Sequence, residues 1–186
     1  MIAIGSTRKP TPRTRSFIKE LHRVIPHSTR LTRGKQGFNE FCETAQELGA
    51  NRILLVGSFH GNPGRLGFLQ QIDDVWKFQP PTLIIKSTHL LREITTASPH
   101  GLKHLYVVPA SQGDVSRAEM LANALAVPCL TRDHLPDKTT KAALLRVKYA
   151  QDKSIDFMAL DEQQPLGPVI HLKHFLTKPM GDKKRW

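Results

Sequence analysis

The chain has 186 residues, with 27 Lys+Arg against 16 Asp+Glu and a formal net charge of +11. Its 39% hydrophobic and 23% charged residues are those of a globular protein, long enough to build a core without disulfide or metal staples. No apolar run spans a membrane, the start Met1–Gly5 lacks the layout of a secretory leader, and the two cysteines Cys42 and Cys129 suit a reducing, cytoplasmic setting.

In chain order, Met1–Ile4 reads as a buried strand, followed by a basic loop from Gly5 to Pro12. A helix is expected from Arg13 to Ile25. Phe17, Ile18, Leu21, Val24 and Ile25 fill one face, and Arg15, Lys19, His22 and Arg23 form a stripe almost opposite. Ser28–Arg33 reads as a short strand and Gly34–Gly37 as a turn. A second helix, Phe38 to Leu48, buries Phe38, Phe41, Cys42, Ala45 and Leu48 and stops at Gly49. Arg52–Ser58 is a strand, Gly61-Asn62-Pro63-Gly64 a hairpin turn with Arg65 at its tip, and Leu66–Ile72 and Leu83–Lys86 are strands.

The order then recurs. Leu105–Pro109 is a strand. Asp114 to Leu125 is a helix, with a Ser116/Glu119 capping box and a Val115–Met120 staple. Val127–Leu130 is a short strand. Residues 137–149 fit a helix or a strand, and Ile155–Leu160 and Val169–Leu176 are strands, with the last ten residues frayed. This element order predicts an α/β protein of one domain, 1–186, built as two tandem halves (about 1–90 and 91–180), with a basic tail at 181–186.

The charge is not spread evenly. Residues 1–36 carry nine Lys/Arg and one acid, net +8. Residues 37–170 carry thirteen against fourteen, net −1, and residues 171–186 carry five against one, net +4. Two basic ends around a neutral body point to a polyanion, nucleic acid before a membrane surface. The first helix with Arg8, Lys9, Arg13, Arg30, Arg33 and Lys35 forms the candidate patch. Aromatics make up only 6%, which favours recognition of backbone and shape over base stacking.

Local chemistry is sparse. Gly5-Ser6-Thr7-Arg8-Lys9 follows a strand and precedes a helix, but a nucleotide P-loop needs a second Gly before Lys-Ser/Thr, and Pro10 and Pro12 remove two backbone donors. The histidine pairs His171/His174 and His100/His104 lack a third ligand nearby, so no metal or other cofactor is expected. Cys42 and Cys129 sit in apolar settings. The acidic pairs Asp73-Asp74 and Asp161-Glu162 do not make an acid/base dyad.

The run Gly5-Ser6-Thr7-Arg8-Lys9-Pro10-Thr11-Pro12-Arg13-Thr14-Arg15-Ser16-Phe17, with Glu20-Leu21 and Val24-Ile25-Pro26 after it, resembles the start of Brix-domain proteins. Arg33-Gly34-Lys35, Glu47-Leu48-Gly49-Ala50, Gly61–Phe68, Leu145-Arg146-Val147 and Gly167-Pro168 continue the resemblance in order, over nearly the whole chain. The resemblance is to the short archaeal form, without the charged extensions of eukaryotic members. It implies a non-catalytic ribosome-biogenesis factor that binds rRNA, pre-rRNA or guide RNA, assists rRNA processing and subunit assembly, and meets ribosome-assembly proteins but no membrane. It also implies two tandem halves, each a mixed sheet with flanking helices similar to the anticodon-binding domain of aminoacyl-tRNA synthetases. The RNA-contacting role falls on Arg8, Lys9, Arg13, Arg15, Lys19 and Arg23; Arg33 and Lys35 join them from the charge pattern. The competing reading is a nucleotide- or tRNA-handling enzyme, or its accessory domain, using the Gly5–Lys9 loop.

Overall fold

The computed structural model of the chain describes residues 1–96, 98–137 and 140–179. Alternation of apolar residues along the first strand, β1 (Ile2–Ser6), decides the layering. Ile2 and Ile4 face one core, and Ala3 faces another on the opposite side of the sheet. Helix α1 (Pro12–Val24) covers the first side, burying Phe17, Ile18, Leu21 and Val24. Thr11 caps it, its Oγ1 accepting from Thr14 N (3.2 Å), and Pro12 sits where the helix needs no donor. Strand β2 (Ser28–Leu31) follows. Helix α2 (Phe38–Glu47) then covers the second side, with Phe41, Cys42 and Ala45 buried against Ala3, Ile53, Leu55 and Leu69.

Strands β3 (Arg52–Phe59), β4 (Asn62–Ile72) and β5 (Val75–His89) form a meander through two two-residue turns. His60-Gly61 and Asp73-Asp74 both take positive φ at both positions, the twist that two-residue hairpins need. A short helix α3 (Leu91–Ile94) leads to β6 (His104–Pro109), and helix α4 (Val115–Leu125) packs beside α1 on the same side of the sheet. Strands β7 (Ala142–Lys148), β8 (Ser154–Ala159) and β9 (Val169–Leu176) complete a nine-stranded mixed sheet of order β2-β1-β3-β4-β5-β9-β8-β7-β6.

Its two ends are connected alike. β1 lies parallel to β2 and β3, and β6 lies parallel to β7 and to a single bridge at Cys129. Antiparallel strands continue from each, and β5 meets β9 antiparallel in the middle. They differ on the α2 side. Where α2 covers the first end, the second carries an ion-pair network: Arg146 grips Asp156 with two bonds (2.9 and 2.8 Å) and Glu162 with a third (2.9 Å). Lys148 joins Asp156 (3.0 Å), and Arg132 joins Glu162 (3.1 Å). No helix among the described residues is long and apolar enough to cross a membrane.

Several expectations are corrected. The hairpin turn is His60-Gly61, and Asn62–Gly64 already belong to β4, so Arg65 is a half-buried strand residue rather than a tip residue. β5 is far longer than Leu83–Lys86, because Trp76 and Phe78 pack at the margin of the α2 core. Ser116 lies inside α4, so the Ser116/Glu119 box and its staple do not form. The fully buried Asp114 precedes the helix, its carboxylate accepting from Ser111 Oγ and Ala150 N (both 2.8 Å). Val127–Leu130 reduces to the one bridge at Cys129. Residues 142–148 of the ambiguous stretch are strand, because Leu145 and Val147 enter the core there. Of the segment expected to fray, Thr177–Pro179 carry no helix or strand; the tail 181–186 lies outside the described residues.

Candidate nucleic-acid interface

Helix α1 presents its cations as the periodicity predicts. Arg15, Lys19 and Arg23 are exposed, while the face behind them is buried. At 1.5 Å per residue the three span about 12 Å of helix. None of them forms an ion pair among the described residues. Arg15 Nη1 donates to Pro10 O (2.9 Å), which ties the stripe to the basic loop before it. His22 belongs to this side but adds no charge at neutral pH. Burial and then the nearby Arg30 lower its pKa, and its Nδ1 lies 3.0 Å from Ser28 Oγ.

β1 and β2 are parallel, so the loops that follow them lie at the same end of the sheet. Arg8 reaches from the first loop to the second, its Nε 3.4 Å from Gln36 O and Nη2 3.5 Å from Lys35 O. Arg8, Lys9 and Lys35 are exposed there. The hairpin tip joins them: Thr11 Oγ1 donates to Gly61 O (2.7 Å).

Two of the predicted residues sit differently. Arg13 forms a two-pronged pair with Glu93 (Nη2–Oε2 2.9 Å) and donates to Thr88 O (2.9 Å), so it clamps α1 to the end of β5 and to α3. The pair raises the Arg13 pKa and lowers that of Glu93. Arg33 is buried, 6% exposed, with Nε donating to Gln36 O (3.3 Å) and its guanidinium 5.6 Å from the Phe38 ring centroid. Burial, and then Arg8, lower its pKa. Both side chains hold the patch in place instead of facing outward. Of the eight residues expected to contact RNA, the outward six are Arg8, Lys9, Arg15, Lys19, Arg23 and Lys35, and Arg30 of the charge patch is exposed on β2 beside them.

One cation escaped the sequence reading. Arg92 lines a groove of about 510 Å³ with Lys19 and Arg23. Glu20, buried and with its pKa raised by that burial, accepts from Leu91 N (2.7 Å) and fixes that segment against α1. No local pattern announces a neighbour some seventy residues away.

The enzyme-like features resolve into structural ones. Gly5 and Ser6 belong to β1 and are buried. A β-carbon on Gly5 would lie 2.5 Å from Phe41 Cζ and 3.0 Å from Leu31 O, so this glycine admits α2 against the strand rather than opening a phosphate cradle. Cys42 is buried, and burial pushes the Cys129 thiol up, away from thiolate. Among the described residues no three His, Cys, Asp or Glu side chains group as metal ligands.

No family model matches the chain. It is 29% identical to a probable Brix domain-containing ribosomal biogenesis protein of Pyrococcus horikoshii, over all of this chain and 88% of that one. Its identity to the protein of the same description from Aeropyrum pernix is 46% over 59 residues, about a third of each. The crystal structure of a probable ribosomal biogenesis protein from Aeropyrum pernix K1 superposes with TM-score 0.74 at 26% identity, covering 94% of this chain and 98% of that one. An archaeal Imp4-like protein shares the fold, with TM-score 0.63 at 20% identity over 93% and 97%.

Proposed function

We propose, from the premise that the chain is a relative along its whole sequence of archaeal Brix domain-containing ribosomal biogenesis proteins, that it holds rRNA or pre-rRNA during ribosome assembly without catalysing a reaction on it. The observation that carries the reading is the α1 stripe: Arg15, Lys19 and Arg23 are exposed and outside every ion pair described, on a helix whose other face is locked in the core. Cations four residues apart on a rigid helix stand about 6 Å apart along one face with their backbone already ordered, and the loops bearing Arg8, Lys9 and Lys35 extend the contact. The chain works as one domain of two duplicated halves, about 1–90 and 91–180. The first half grips RNA. The second, whose cations Arg132, Arg146 and Lys148 are spent on Glu162 and Asp156, meets ribosome-assembly proteins.

Crosslinking to cellular RNA tests this directly. Fragments of rRNA attached to peptides containing Lys19 or Lys9 are the expected result, and crosslinks scattered over many RNA classes would refute it. The competing nucleotide reading predicts that ATP or GTP at millimolar concentration raises the unfolding temperature. With Gly5 packed under Phe41, no shift is expected.

A further inference from the structure

Two β-bulges flank a cleft on the α2 side of the sheet. In β4, Gly57 pairs with Arg65 and Ser58 with Pro63, so Gly64 is the extra residue. In β9, His174 pairs with Ile84 and Leu172 with Ile85, so Lys173 is the extra one. Bulges re-aim side chains. The first brings Phe59 against Gly64, where any β-carbon would collide with that of Phe59. The second puts Lys173 at the same opening as Arg65. The cleft encloses about 340 Å³ between Phe59, Arg65, Ile84 and Lys173, and no carboxylate lines it among the described residues. Phe59 is 68% exposed, more than any other large apolar side chain described, and His60 meets its ring edge-on at 4.1 Å. Through the Thr11–Gly61 bond the hairpin tip beside Phe59 is fastened to the loop carrying Arg8 and Lys9.

A flat aromatic face, a small apolar floor and two cations with no acid match one ligand chemistry, an unstacked base with its phosphate. An apolar protein segment would want a broad greasy face and gain nothing from a half-buried Arg65 beside an exposed Lys173. We propose that this cleft holds a single unpaired RNA nucleotide, its base on the Phe59 ring and its phosphate on Arg65 and Lys173. The inference rests on the RNA-holding reading above and adds to it a single-strand site that backbone contacts from α1 do not supply. Lys86 and Lys153 border the adjoining hollow that Lys173 also lines, against one carboxylate, Asp152, so the strand has a net-positive continuation along the β5–β9 seam.

The test compares two RNA probes on the whole chain by fluorescence anisotropy: a short single strand carrying one 2-aminopurine, and a blunt hairpin of equal charge whose stem is closed by a non-nucleotide linker. Phe59→Ala is expected to weaken the single strand about tenfold and to abolish the 2-aminopurine quench, leaving the hairpin unchanged. Phe59→Tyr restores both readouts. Lys173→Gln lowers the salt slope for the single strand by roughly 0.7. The ring is exposed, so the melting temperature of Phe59→Ala should match the parent. Equal effects of Phe59→Ala on both probes, or none on either, overturn the proposal; the second outcome leaves the ring to a protein partner. If the unaltered protein binds neither probe, the parent reading falls as well.

Discussion

Reversing the α1 stripe is the sharpest test of where RNA is held. The triple variant Arg15→Glu/Lys19→Glu/Arg23→Glu removes three of the six outward cations expected to contact RNA. Each phosphate neutralised contributes about 0.7 to 0.9 to the log–log salt slope, so six contacts give a slope of roughly −4 to −5 and three leave roughly −2 to −3. Between 50 and 200 mM salt the parent should lose affinity several hundredfold, the variant only about twentyfold. At low salt the variant should bind a hundredfold or more weakly, with like-charge repulsion adding to the lost contacts. The fold should survive. The three side chains are exposed, and the one bond lost among them is that of Arg15 to Pro10 O, worth about 1 kcal/mol. An acid near the start of α1 suits the helix dipole, and one in the last turn opposes it, so those effects largely cancel. Anisotropy titrations of a duplex RNA across that salt range read both numbers. A folded variant with the parental slope would refute the placement of the interface.

Three further outcomes test the supporting structure. Arg146→Leu leaves the 3%-exposed Asp156 with only Lys148 beside it and should cost about 2–4 kcal/mol in urea denaturation. Arg146→Leu/Asp156→Leu should recover most of that loss, and a double variant no better than the single would refute the buried-charge account. Gly5→Ala forces a methyl against Phe41 and the Leu31 carbonyl and should destabilise by about 1–3 kcal/mol; an unchanged urea midpoint would contradict that packing. The Arg13–Glu93 clamp depresses the Glu93 pKa in the folded state, so its stabilisation is present above the ordinary carboxylate range and lost as pH falls through the folded value. The cost of Arg13→Gln should therefore be larger at pH 7 than in acid by no more than about 1 kcal/mol, since the pair is a third exposed, with the part that persists in acid belonging to the Thr88 bond; a cost that does not shrink as pH falls would refute the contribution of the ion pair.

The first helix was legible from sequence because its structure is local. Phe17, Ile18, Leu21 and Val24 recur at helical spacing, Pro26 follows, and whichever core the chain builds, Arg15, Lys19 and Arg23 must point the other way. Two of the failures had non-local causes. The first half of β5 carries a strand's alternation, Trp76 and Phe78 against Lys77 and Gln79, but Pro80-Pro81 cuts that run short, and only the α2 core shows that its apolar side is covered. The expected cap at Ser116 looked right by spacing, yet Asp114 precedes the helix because Ala150, distant in sequence, supplies its donor.

Charge arithmetic by itself determined that the first 36 residues carry most of the net charge and that one helix aligns three cations. It treated every Lys and Arg as equivalent. Tertiary structure alone decided that Arg13 is spent on Glu93, that Arg33 is buried, and that Arg65 and Lys173 from the neutral body and the far end meet at one cleft beside an exposed Phe59. The physical reason is range. Helical periodicity and net charge are set by neighbours within a few residues, whereas whether a cation is free, paired or buried depends on strand register and on partners that only the folded sheet brings within a few ångströms.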